Sequence, residues 1–326
     1  MLTDYWVIAQ FTTQIGSWIL LSYSTIISIA IIRNWNINSN ASLQINLERK
    51  TYLVGTIAYM ILIMQLFVLL FFLQTVNQHF PTLIRGAMCA TGTLNANAYG
   101  NVTLWIKLSS IIIYAIFITF EYLDNKSPNF PLTSFKYYFL LPAWVFLSAD
   151  IILSFLYFYN LTPNIITTCC SVVFLGNEQN FEHTHEFSSF NLMIFLFVFC
   201  LFVWNIMYFF IKNKIVIKTI SSFAIIYFSL FFLQNFFVKY IYGLPNHLCL
   251  FDMFFWEYNG IGFVWFGMWI AFAWTNIAEF ASVLVQKKLD FSIQFYLQYL
   301  KKVQLVSFLC IIFIPILYYF AWQGEL

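Results

Sequence analysis

The sequence predicts an all-α, polytopic transmembrane helical bundle of eight spans with the N-terminus and C-terminus outside. Three observations carry this. Aliphatic and aromatic residues make up 62% of the 326 residues and charged residues only 9%, with mean hydropathy +0.80. That is too little charge to cover the surface of a soluble domain. Apolar runs of roughly twenty residues, enough to cross a bilayer core, recur along the whole chain. Basic residues alternate sharply between successive connections.

The spans fall near 5–32, 52–76, 102–123, 137–159, 189–211, 219–243, 260–285 and 303–322. The first run has Asp4 as its only preceding charge and lacks a basic leader, so it is expected to stay as span one rather than be cleaved. Between spans one and two lie Arg33, Arg49 and Lys50, and between three and four lie Lys126 and Lys136. Lys212, Lys214 and Lys218 follow span five, and Lys287, Lys288, Lys301 and Lys302 follow span seven. The intervening connections hold only Arg85, and the fourth is acidic with Glu178, Glu182 and Glu186. Since basic residues collect on the side that is not translocated, every odd connection is expected inside. The stretch 286–302, "QKKLDFSIQFYLQYLKK", is too polar to span. It reads either as a helix lying in the inner interface or as an extension of span seven.

Domain organisation is read as a single integral membrane domain, 1–326. A 4+4 division into halves 1–160 and 189–326, joined by an outer loop 160–188, is suggested by topology alone, because no residue-level similarity between the halves is evident. The 41 Phe and 20 Tyr are read as lipid-facing bulk. Net charge of +2 implies no nucleic-acid partner. The expected partners are the lipid bilayer and further subunits of a membrane complex. The expected location is the bacterial inner membrane, or the mitochondrial inner membrane if the chain is organelle-encoded.

All four histidines, His79, His183, His185 and His247, fall in or beside outer connections, as do Cys89, Cys169, Cys170 and Cys249. Cys200 and Cys310 sit inside spans, where a thiol acts as apolar filler. Four cysteines on an oxidising face suggest two disulfides. Adjacent Cα atoms are about 3.8 Å apart whereas a relaxed disulfide needs roughly 4.4–6.8 Å, which disfavours a Cys169–Cys170 bond. One of the pair would then join Cys89 and the other Cys249. Alternatively the same cysteines, with His183, His185, His247 and Asp252, could form a copper or zinc site, although no spacing matches a closed zinc motif. A redox-active vicinal disulfide is a third option. The small-residue stretch "RGAMCATGTLNANAYG" reads as a lid over that cluster.

Within the spans, ionisable groups are costly and mark pathways. Lys107 and Lys239 lie near outer ends and can snorkel. Asp150 is roughly 15 Å from the outer end of its helix, with Lys107 as its candidate partner. Glu279 lies nearer the inner surface, facing Lys287 or Lys288, and Asn205, Gln234 and Asn235 are expected to bond between helices.

Absences prune the rest. No histidine lies within a span, which excludes a haem held by two membrane histidines, and no nucleotide loop, H-E-x-x-H or C-x-x-C is present. Asp150 has no second buried aspartate, against an intramembrane aspartyl protease. Two readings stand: an accessory membrane subunit handling thiols or a soft metal at the outer cysteine/histidine cluster, or a small-solute or ion transporter with Asp150 and Lys107 in the pathway and the disulfides as staples.

Overall fold

A computed structural model describes residues 1–36, 42–84, 87, 90–127, 129–162, 197–206, 208, 215–242, 249–286 and 294–323. Among these residues all regular structure is helical. Seven helices are long and apolar enough to cross a bilayer, so the chain is an integral membrane protein. The expected fifth span, 189–211, is described as a helix only over Phe197–Ile206, which we call α7. The chain divides into two compact units: unit 1 comprises Met1–Thr167 with Leu284–Phe295, and unit 2 comprises Thr168–Val283 with Tyr296–Leu326.

Unit 1 is an antiparallel bundle of α1 (Tyr5–Asn34), α2 (Ser42–Gln74), α4 (Tyr99–Lys126) and α6 (Leu140–Tyr159). Two short helices, α3 (Ala90–Leu94) and α5 (Thr133–Tyr137), lie in the connections. The end at which α1 and α4 begin is called the upper end. Asp4 starts α1 by accepting the Trp6 N–H at 3.0 Å, satisfying a donor that the first helical turn leaves unpaired.

The four seams follow one rule. On α1 the buried positions include Val7, Gln10, Gln14, Ser17, Leu21, Ser24, Ser28 and Ile31, spaced alternately by three and four. The same spacing recurs at Leu47, Thr51, Val54, Ala58, Ile61, Gln65, Val68 and Phe72 on α2. It continues at Lys107, Ser110, Tyr114, Phe117, Glu121 and Asp124 on α4 and at Leu140, Ala143, Leu147, Asp150, Ser154 and Tyr157 on α6. A 3–4 alternation is the seam of a left-handed bundle. Its polarity is inverted relative to a soluble bundle. Gln and Ser of α1 face inward, while Ile8, Ile15, Ile19 and Ile26 are 49–69% exposed, as a lipid-bathed helix requires.

Polarity also varies along the bundle axis. The lower half is built mainly from apolar residues such as Leu21, Ile31, Val54, Ile61, Phe117 and Leu147, with Glu121, Asp124 and Lys136 buried at its far end. The upper half carries Gln10, Gln14, Ser17, Gln65, Lys107, Ser110, Asp150 and Ser154, all buried.

The connection 75–98 folds back over the upper end. A π-turn, Thr75–His79, continues α2. Asn77 Oδ1 accepts the Ala90 N–H at 3.2 Å, and Thr93 Oγ1 donates to Val76 O at 2.6 Å. Tyr157 on α6 donates to Thr93 O at 3.0 Å. His79 Nε2 lies 2.5 Å from Asp4 Oδ2, tying the connection to the start of α1. These contacts hold the described part of the connection on the upper end. Of the cysteine cluster expected beneath it, Cys89, Cys169 and Cys170 lie outside the described residues, as does Arg85. Gly100 makes the fold-back possible: a Cβ there would sit 2.2 Å from Leu94 O.

Unit 2 contains α7, α8 (Ile215–Phe232), α9 (Val238–Tyr242), α10 (Ile261–Val285) and α11 (Gln294–Gln323). A π-turn, Leu233–Phe237, joins α8 to α9. Of the segment 286–302, expected as an interfacial helix or an extension of span seven, residues 287–293 lie outside the described ones. From Gln294 it is the start of α11, continuous with the last span, because no Gly or Pro interrupts it there. The landmarks of the two units also set a register in which a sequence likeness becomes visible. "FFLQ" at 71–74 precedes Cys89, Gly100 and Trp105 with the same spacings by which "FFLQ" at 231–234 precedes Cys249, Gly260 and Trp265. The first motif directly precedes a π-turn, whereas the second enters one with its Leu233 and Gln234, so the two turns lie two residues apart in this register. Gly100 meets the Leu94 backbone, and in unit 2 the glycine against backbone is Gly262, on Met253, rather than Gly260.

Gly100→Ala should overpack this contact at a cost of about 1–3 kcal/mol. Thermal unfolding in detergent should show a midpoint several degrees lower, whereas Gly16→Ala, with open space around it, should leave the midpoint unchanged.

Candidate functional site

The polar upper half of unit 1 centres on Asp150. Three helices converge there because each places a polar residue at a seam position of the same level. Lys107 Nζ of α4 lies 2.9 Å from Asp150 Oδ1 and 3.0 Å from Oδ2. Gln14 Nε2 of α1 donates to Oδ2 at 2.7 Å, and Ser154 Oγ, one turn along α6, donates to Oδ1 at 3.4 Å. The fourth helix contributes an aromatic face: Lys107 Nζ is 5.1 Å from the centroid of Phe72 on α2. Lys107 does not snorkel. It is 2% exposed, and its ammonium is held by Asp150 rather than by the interface.

Around this ion pair the hydrogen-bonding potential is incompletely used. Among the described residues, both side-chain atoms of Gln10, Gln14 Oε1, Gln65 Nε2 and the Tyr114 hydroxyl are buried without a hydrogen-bond partner. Tyr114 is within electrostatic reach of Asp150. An orphaned buried polar atom costs about 1–3 kcal/mol, so these side chains mark a stretch of the seam with hydrogen-bonding capacity to spare. Toward the upper end the rings of Phe72, Phe80, Tyr157 and Phe158 close the bundle, with Phe80 and Phe158 edge to face at 5.7 Å. Below the ion pair lies the mainly apolar half.

Unit 2 contains the same three chemical groups in a different condition. Lys218 of α8 pairs with Glu279 of α10 and donates to Gln304 Oε1 of α11 at 2.9 Å. Gln304 Nε2 donates to Glu279 Oε2 at 2.7 Å and to Thr275 O at 3.1 Å. Lys218 also lies over the rings of Trp204 and Tyr208. Every polar group of this triad has a partner. It is a closed ring that joins three helices, whereas the triad of unit 1 leaves Gln14 Oε1 free for something else.

A third buried network lies at the lower end of unit 1. Lys136 Nζ is 2.6 Å from Asp124 Oδ2 and 2.8 Å from Glu121 Oε2. Asp124 also accepts the Leu132 N–H at 2.8 Å and the Thr133 hydroxyl at 2.7 Å. Two carboxylates share one ammonium.

Sequence reasoning anticipated the pairing of Lys107 with Asp150. It missed Gln10, Gln14 and Gln65, whose 3–4 spacing with serines on an otherwise apolar helix was the available signal. It also took Lys136 and Lys218 only as markers of the inner side, although both are buried. Glu279 meets Lys218; its expected partners Lys287 and Lys288 lie outside the described residues. Asn205 and Asn235 bond to Leu201 O and Phe231 O of their own helices rather than across helices. Lys239 lies in α9.

Of the expected outer cluster, Cys89, Cys169, Cys170, His183, His185 and His247 lie outside the described residues. Cys249 is buried, and its carbonyl accepts the Tyr242 hydroxyl at 2.6 Å. Asp252 is also buried; burial first, then Asp252 and Glu257, push the nearby Tyr258 phenol up. Among the described residues no disulfide is formed, and no three His, Cys, Asp or Glu side chains gather to hold copper, zinc or another metal ion. Comparison with protein-family models, with curated proteins and with solved structures found no match.

The contrast between the triads has a thermodynamic consequence. Gln304→Met should break the closed ring and lower the unfolding midpoint in detergent, since it strands a buried charge pair's remaining donors and acceptors. Gln10→Met should leave the midpoint unchanged or raise it, because it removes two orphaned polar atoms. Equal losses for the two variants would mean that Gln10 is also structural.

Proposed function

We propose that the chain is a membrane transporter for a small, net-neutral polar solute, with the chamber around Asp150 and Lys107 as its binding site. What carries the reading is the set of orphaned amides and the Tyr114 hydroxyl beside a self-neutralising ion pair. Lys107 and Asp150 cancel, so a net-charged solute would leave an uncompensated charge in a low-dielectric core. A solute with both donors and acceptors, zwitterionic or polyhydroxylated, matches the unpaired groups. Enclosure by the Phe72–Phe80–Phe158 layer above and the apolar layer below fits a site that opens to one side at a time. By the distribution of basic residues the upper end faces outside, with eight spans and both termini on that side.

The shared "FFLQ", Cys, Gly and Trp spacing supports descent of the two units from one four-helix ancestor, one copy closed by its saturated triad and the other left open to a solute. Relatives in which this register fails in either half would remove that part of the reading. The thiol or soft-metal reading draws on residues outside the described ones and gains no support from the buried seams.

Swelling of proteoliposomes in iso-osmotic glycine, glycerol, erythritol or potassium chloride tests the function. Wild-type protein should speed swelling in at least one net-neutral solute and not in the salt, and Asp150→Asn should reduce that rate by ten-fold or more while the protein keeps its elution profile in detergent. Swelling no faster than in empty vesicles for every net-neutral solute would overturn the reading.

A further inference from the structure

We infer that solute movement is coupled to protons carried along α4, with Asp150 the upper proton acceptor and Glu121 the lower one; this rests on the transporter reading above. The core face of α4 presents Lys107, Ser110, Tyr114, Phe117, Glu121 and Asp124 at successive seam positions. Five of the six are polar, and they run about 21 Å from Lys107 to Glu121 at the helical rise. What sets this face apart from the other seams is an ionisable network at each end of it, and two such networks on one buried face mark a route.

The surroundings of each carboxylate suit the task. Asp150 faces Lys107 on α4, Gln14 on α1 and Ser154 on its own helix, with Tyr114 in electrostatic reach. Taking up a proton from the upper side converts its carboxylate to a carboxylic acid, so the Lys107 ammonium that Asp150 had balanced is met instead by acceptor oxygens of the solute, with Gln14 freed beside it. Glu121 faces Lys136 and the buried Tyr137 on α5, Asn125 and Asp124 on its own helix, and Tyr59 on α2. With two carboxylates to one ammonium, the lower network holds one negative charge in excess and can accept a proton without stranding Lys136. The proton leaves Asp150, passes by exchange through hydroxyls or water, protonates Glu121 and is released below. Each group returns to its starting state and one proton has crossed.

Phe117 breaks the polar line between Tyr114 and Glu121, and its side chain is fully buried in the apolar layer. That break prevents a leak. Transfer waits until solute binding repacks the layer, so proton and solute cross together.

The test uses the full chain in proteoliposomes that contain pyranine, a pH-reporting dye, with membrane voltage clamped by valinomycin and potassium. The external solute is whichever net-neutral one supports swelling. Acidification of the lumen should accelerate at least three-fold when solute is added with an inward pH gradient. Glu121→Gln should abolish that acceleration while retaining downhill swelling, which reports that the variant is folded and still binds solute. Wild-type swelling without solute-dependent acidification would overturn the coupling and leave the transporter reading standing; absence of both would remove the two together. Acidification unchanged in Glu121→Gln would overturn the route along α4.

Discussion

In hydrocarbon, apolar side chains gain little by leaving lipid for a neighbouring helix, so association depends on packing and on polar groups that have no alternative partner. In unit 1 that role falls to the contact of Lys107 and Gln14 with the carboxylate of Asp150. It joins α1, α4 and α6 at one level, and the phenyl face of Phe72 brings α2 to the same level. A one-residue slip of any of these helices would move a charged or amide side chain into lipid. Removing one partner of a buried ion pair costs about 3–5 kcal/mol, so the register is specified strongly. The 3–4 alternation of buried positions on all four helices follows from holding that level fixed along the bundle.

The two units make the argument from satisfaction sharper than either would alone. Each has a lysine, a carboxylate and a glutamine at the meeting of three helices, and each sets the ammonium against an aromatic ring. In unit 2 both ends of Gln304 are used and the serines and amides nearby are paired, as with Ser222 to Asn276 at 2.7 Å, although Trp204 Nε1 beside them has no partner among the described residues. In unit 1 the corresponding glutamine uses one end, and both side-chain atoms of Gln10, Gln65 Nε2 and the Tyr114 hydroxyl have no partner among the described residues. Stability alone would favour apolar residues at these positions. Retaining them unsatisfied is the kind of cost that accompanies a binding site.

Much of the fold was legible in the letters. Apolar runs located seven long helices, although α2 and α11 begin ten and nine residues before the expected spans, and Asp150 was conspicuous as a charge far from either end of its helix. The seams were harder to read, because nearly every position of a membrane helix is apolar and the inward face is marked only by a few polar residues. Gln10, Gln14, Ser17, Ser24 and Ser28 were that mark on α1. Lys136 and Lys218 misled for a different reason: a lysine near a helix end reads as a topological signal, and only three-dimensional placement reveals that Asp124, Glu121 and Glu279 draw these two inward. The likeness between the two halves was equally hidden, since "FFLQ" is unremarkable in a chain with 41 Phe until Cys, Gly and Trp at matching offsets are set beside it.

All of this depends on the chamber beside Asp150 being built to hold something. An experimental density map at a resolution that shows ordered water is the most direct test. The account predicts well-defined non-protein density within hydrogen-bonding distance of Gln10, Gln14 Oε1 and the Tyr114 hydroxyl, as a water cluster in the protein alone and as solute when the transported compound is added. A dry core in which those side chains bond to one another, as Gln304 does to Glu279, would contradict it.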